Sequence, residues 1–71
     1  MRTYNLNGTE GNSYYLLGLA RDWMLQFQWD VQTIESVLNS MKSSDYNHLL
    51  KVFDDSFSDI VEYKFINDPR K

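Results

Sequence analysis

The hydrophobic period of this chain changes twice. It alternates at both ends and recurs every three or four residues in between. At the start, Arg2 to Leu6 puts Tyr4 and Leu6 on one side and Thr3 and Asn5 on the other, the pattern of a short strand. At the end, over Ile60 to Ile66, Val61, Tyr63 and Phe65 alternate with Glu62 and Lys64, and β-branched and aromatic residues suit a strand. One short strand at each end leaves few options. A lone strand cannot satisfy its backbone groups, so the two pair and the helices pack on one face of the ribbon. The expected fold is α+β: a small single domain over residues 1–66, β-α-α-α-β, with a two-stranded ribbon packed on three helices. Residues 67–71, Asn-Asp-Pro-Arg-Lys, read as a flexible polar tail. The pattern leaves open whether the strands pair within one chain or between chains. The ribbon has two open edges, which invite strand addition by a partner or a second copy.

The first helix is expected from Ser13 to about Phe27. Leu16, Ala20, Trp23, Met24 and Phe27 share one face, while Arg21, Asp22, Gln26 and Gln28 fall elsewhere. Asn12 or Ser13 supplies the N-cap oxygen. Gly18 inside this helix costs roughly 1 kcal/mol against alanine, a cost expected to reflect close packing by another element. Asp30 caps a second helix with the stripe Val31, Ile34, Leu38 and Met41. Ser43-Ser44-Asp45 ends it and starts a third, whose apolar face is Tyr46, Leu49, Leu50, Phe53 and Phe57.

Length and composition narrow the function classes. Seventy-one residues hold one domain with a marginal core. There is no cysteine for a disulfide or thiolate site, and the single histidine, His48, cannot build a zinc site alone. Aromatic residues, at 15%, compensate for those missing staples. The net charge is −3, and between Asp30 and Glu62 seven acids face two bases. A duplex-DNA binder needs a basic stripe, and the sequence has none. The opening residues lack an apolar h-region and no apolar run approaches membrane-spanning length, so an intracellular, soluble protein with no membrane partner is expected.

Four sets of residues could carry chemistry. In the turn at Gly8, Gly11, Asn12 and Ser13, glycines let backbone approach a ligand and a helix N-terminus favours an anion. Its G-x-x-G-N-S spacing is neither a Walker A loop nor a dinucleotide fingerprint, and Glu10 would repel a phosphate. Among Asp54, Asp55, Asp59 and Glu62, adjacent helical carboxylates diverge by about 100° and do not converge on one ion. These acids read as a solvated face or as a face that meets a basic protein surface. Ser44, Asp45 and His48 serve helix capping better than catalysis. Tyr14 and Trp29 lie off the main stripe of the first helix, where exposed aromatics mark interfaces or stacking platforms. No metal site and no cofactor are called for.

Two stretches resemble a family of small, mostly uncharacterised proteins of tailed bacteriophages and prophages. Asn5-Leu6-Asn7-Gly8-Thr9-Glu10-Gly11-Asn12-Ser13-Tyr14-Tyr15-Leu16-Leu17-Gly18 is similar to the family's strand, GPEGNAF-like turn and helix start. Asp45 to Phe57 resembles its DY..L..VF...F segment. Thr9 stands where the family often has proline, and Ser13 where it has alanine. The resemblance covers 27 of 71 residues and neither stretch is a catalytic motif. It implies a phage accessory protein that acts on host machinery, including host defence.

The expectation is therefore a non-enzymatic accessory protein that binds a host protein and inhibits or redirects it, through Tyr14, Trp29, Asp54, Asp55 and Asp59. The alternative is an oligomeric binder that sequesters a nucleotide second messenger at Gly8, Gly11, Asn12 and Ser13, with Tyr14 or Tyr15 stacking and Arg2 or Arg21 supplying charge. A third possibility is an assembly role in a phage particle.

Overall fold

The computed structural model describes residues 1–71. Its elements are β1 (Arg2–Asn5), a single 3-10 turn (Thr9–Gly11), α1 (Ser13–Gln26), α2 (Val31–Lys42), α3 (Tyr46–Phe57) and β2 (Tyr63–Ile66). The fold is α+β in the expected order. The strands pair within the chain, and they pair in parallel, with Arg2 opposite Tyr63 and Tyr4 opposite Phe65. A parallel pair needs a long crossover connection, and here all three helices supply it. The ladder runs one residue past β1, since the Leu6 N–H donates to the Ile66 carbonyl at 3.0 Å.

Each helix begins where a side-chain oxygen accepts an early N–H. Asn12 accepts from the Tyr14 N–H, Asp30 from Gln32 and Asp45 from His48. Such caps satisfy donors that have no intrahelical partner. α1 ends in a Schellman closure: the Trp29 N–H reaches the Met24 carbonyl at 2.9 Å and the Gln28 N–H reaches Leu25 at 3.1 Å. Gln28 takes the left-handed position there, at φ 59°, where glycine is usual. That reversal aims Trp29 back at the core, and its ring stacks on Phe57 at 5.7 Å.

The core lies between the helices and one face of the ribbon. Leu16, Ala20 and Met24 of α1 meet Ile34 and Met41 of α2 and Leu49, Leu50, Phe53 and Phe57 of α3. Tyr4, Tyr63 and Phe65 bring ribbon rings onto Trp23 and Phe53 at centroid distances of 5.4–6.3 Å. Offset and edge-on aromatic pairs of this kind add to simple area burial.

Several details differ from the pattern. The second strand starts at Tyr63, not Ile60, because the Ile60 and Val61 N–H groups both return to the Phe57 carbonyl and close a turn. Phe27 is the C-cap of α1 and stays exposed, since the helix ends before its ring can reach the core. Val31 is 66% exposed; as the first residue of α2 it projects beyond the helices that cover Ile34 and Met41. Gly18 is not explained by close packing, for a Cβ there would find nothing within 4 Å.

Candidate functional site

One cleft of binding-site size is a groove of about 290 Å³ between the start of α1 and the α2–α3 corner. Tyr14 and Leu17 form one wall, and Met41, Lys42, Tyr46 and Leu49 form the other. Ser13 sits on the rim. The volume is close to the lower limit of about 300 Å³ for ligand pockets; the five apolar residues of the lining are joined by Ser13, Ser44, one cation, Lys42, and one anion, Asp45. Tyr14 stands 84% exposed at the mouth. Its position on α1 explains this: Leu16 and Ala20 face the core, and residue 14 falls on the outer side of the same turn. Tyr46 fixes the opposite wall, because its hydroxyl donates to the Gly11 carbonyl and ties α3 to the turn before α1.

The turn itself is tightly closed. The Gly8 N–H donates to Asn5, Gly11 to Gly8 and Asn12 to Thr9. Asn7 donates to the Asn5 side chain at 3.0 Å. Glu10 reaches back to accept the Asn5 N–H at 3.1 Å and the Arg2 guanidinium at 2.7 Å. The Asn12 side chain takes the Tyr14 N–H at 2.8 Å. Gly11 is required by space: a Cβ would lie 1.9 Å from the Leu6 carbonyl oxygen. Of the four residues expected to hold an anion, Ser13 borders the Tyr14 groove, while Gly8, Gly11 and Asn12 spend these groups inside the turn.

The acidic residues do not act together. Asp54 accepts from the Tyr63 hydroxyl with one oxygen and from Arg70 at 2.7 Å with the other. Asp55 pairs with Lys51 on the exposed side of α3 at 2.8 Å. Asp59 lies exposed in the turn after α3. Trp29 is half-buried against Phe57, far more enclosed than Tyr14. No group of three or more histidine, aspartate or glutamate side chains is placed to hold a metal ion. His48 Nε2 donates to the Ser40 carbonyl at 2.9 Å, and Ser43 Oγ donates to the same carbonyl at 2.8 Å. The histidine thus closes the end of α2, and the Asp45 carboxylate faces its backbone N–H.

A second cluster lies in the C-terminal residues, where the sequence pattern points to no site. Asp68 is 8% exposed. Arg70 binds it through Nε at 3.0 Å and Nη2 at 2.6 Å, and the same guanidinium reaches Asp54. The arrangement fastens Arg70 to α3, and the Asn67 amide donates to the Asn5 side chain of β1 at 2.8 Å. Arg70 holds the Asp68 carboxyl below the usual carboxylate range through its hydrogen bonds. Burial, with the hydrogen bond to Asp54 behind it, raises the Tyr63 hydroxyl far above an ordinary tyrosine. Tyr4 and Tyr46 are also raised, chiefly by burial. Both ends of this network come from segments remote in sequence. The only local signal is the Asp68–Arg70 spacing after Asn67, which reverses the chain at φ 58°.

No protein-family model matches the chain, and no curated protein or solved structure matches it. No helix is long and apolar enough to cross a membrane.

Proposed function

We propose that this protein is a non-enzymatic, phage-type accessory protein that binds a host protein and inhibits or redirects it, with a host-defence component as one class of target. The observation that carries the reading is Tyr14: a large aromatic ring held in water beside a groove with mostly apolar walls. Interfaces take much of their energy from a few such rings seated next to desolvated pockets. Lys42 on the far wall gives the groove a polar edge. A partner side chain entering between Tyr14, Leu17 and Met41 would bury both walls. Asp55 and Asp59, exposed on α3 and just after it, are charges available to a basic partner surface. Asp54 and Trp29 are engaged inside the molecule and are poor probes of binding, because truncating either disturbs the fold.

The test is capture from a bacterial lysate with the wild-type chain and with Tyr14→Ala, followed by native mass spectrometry. The reading expects a host protein at fixed stoichiometry with the wild type and its loss with Tyr14→Ala, at unchanged circular dichroism. A homo-oligomer carrying a few hundred extra daltons, and stabilised against heat by added nucleotide, would point instead to nucleotide capture and overturn it.

A further inference from the structure

A second surface lies at the other end of α1, and it shares no lining residue with the Tyr14 groove. A dent of about 130 Å³ runs between α1 and α2, with Leu25, Val31, Ile34 and Leu38 along it and Arg21 and Glu35 at its edges. That volume is well under the ~300 Å³ of a ligand pocket; it accommodates a side chain. Leu25 is 52% exposed and Val31 66% exposed, so two aliphatic side chains project beside a dent lined by aliphatic ones. Arg21 and Glu35 border the same dent, yet neither forms an ion pair within the chain, where the pairs are Arg2–Glu10, Lys51–Asp55, Arg70–Asp54 and Arg70–Asp68.

On each helix the charge and the apolar residue stand one turn apart. Arg21 and Leu25 are i, i+4 on α1, and Val31 and Glu35 are i, i+4 on α2. One helix therefore offers a cation with an aliphatic knob, and the other an anion with an aliphatic knob. A patch of that kind is complementary to itself. Under a two-fold axis, the contact between residue i of one copy and residue j of the other is repeated with the copies exchanged. Arg21 of each copy then meets Glu35 of its mate while Leu25 and Val31 fill the facing dents.

We infer that the α1–α2 corner is the interface of a homodimer, closed by Leu25 and Val31 and set in register by reciprocal Arg21–Glu35 pairs. A small domain with a marginal core gains stability by such association. Because the Tyr14 groove is separate, the dimer presents two copies of it, and a partner with two sites binds with avidity.

Sedimentation velocity of the full chain, from about 1 µM to about 1 mM, tests this. The expected result is a concentration-dependent species of twice the 8.5 kDa chain mass. Arg21→Glu or Glu35→Arg alone should weaken association about tenfold, and the two combined should restore it, since reversing both charges preserves the pairing. Val31→Lys should abolish the dimer. All three positions altered are exposed, and circular dichroism checks that each variant folds. A monomer across the whole range overturns the inference. So does a dimer that survives Val31→Lys, or one whose strength ignores the charge reversals.

Discussion

Two regions of the molecule bury apolar surface to different degrees. Around Trp23 and Phe53, rings from β1, α1, α3 and β2 meet edge to face, and Phe53 and Phe57 are fully buried. At the corner where α1 turns into α2, Leu25, Phe27 and Val31 remain in water. The aromatic half joins segments from both ends of the chain and is fastened from outside by the Asp54–Asp68–Arg70 network. The corner joins only neighbours in sequence, and α2 supplies no ring to the cluster. The aromatic half therefore carries most of the stability of a single copy, and the corner is the surface we propose for a second one.

The comparison can be broken at several points. Phe53→Ala should have the largest effect, a loss of about 3–5 kcal/mol, which approaches the whole stability of a small domain. Denaturant unfolding measures it, and a loss under about 1 kcal/mol would mean that the aromatic half does not dominate.

Arg70→Ala comes next. It strands the buried Asp68 carboxylate and should cost about 2–3 kcal/mol. The pH dependence has a defined sign. Asp68 is held below the ordinary carboxylate value, so its contribution is present above that value and is lost as pH falls through the depressed one. Arg70→Ala should flatten this acid limb. At the alkaline end the sign reverses. Tyr63, Tyr4 and Tyr46 keep their protons when folded, so stability is present below the ordinary tyrosine value of about 10 and falls as pH rises beyond it. Tyr63→Phe should reduce the alkaline slope, which thermal melts across pH will show.

Backbone positions give smaller effects. Gly11→Ala drives a Cβ into the Leu6 carbonyl and should destabilise by about 1–3 kcal/mol. Gly18→Ala has open space and should stabilise by about 0.5–1 kcal/mol. Gln28→Gly relieves a left-handed residue and should gain a similar or smaller amount. If Gly11→Ala and Gly18→Ala change the melting temperature in the same direction, the account of the turn fails. Smallest of all, Val31→Lys should shift unfolding of the isolated monomer by under about 0.5 kcal/mol, in contrast to its effect on association.

Much of the fold is legible from residues alone. The period change at Tyr4–Leu6 and again at Tyr63–Phe65 marks both strands, and Asn12, Asp30 and Asp45 mark the helix starts because a cap is a local interaction. Other features depend on distant partners. Nothing local to Val31 or Phe27 tells which apolar residues lie past the end of the packed region. The pairing of Arg70 with Asp54 spans 16 residues, and the Tyr46–Gly11 bond spans 35, so neither network can be read from spacing. Strand direction was equally hidden, being set by how three helices return the chain. At the candidate site, Tyr14 was legible as a ring off the main stripe, and Ser13 as its neighbour. Lys42, Met41 and Leu49 on the facing wall were not, because the groove exists only once α1 meets the α2–α3 corner.

Hydrogen–deuterium exchange on the chain bound to its captured host protein tests the central claim most directly. The account predicts added protection at residues 13–17 and 41–49, the two walls of the Tyr14 groove. Protection confined to the turn at 8–12 or to the acidic residues 54–59, with those walls unchanged, would contradict it.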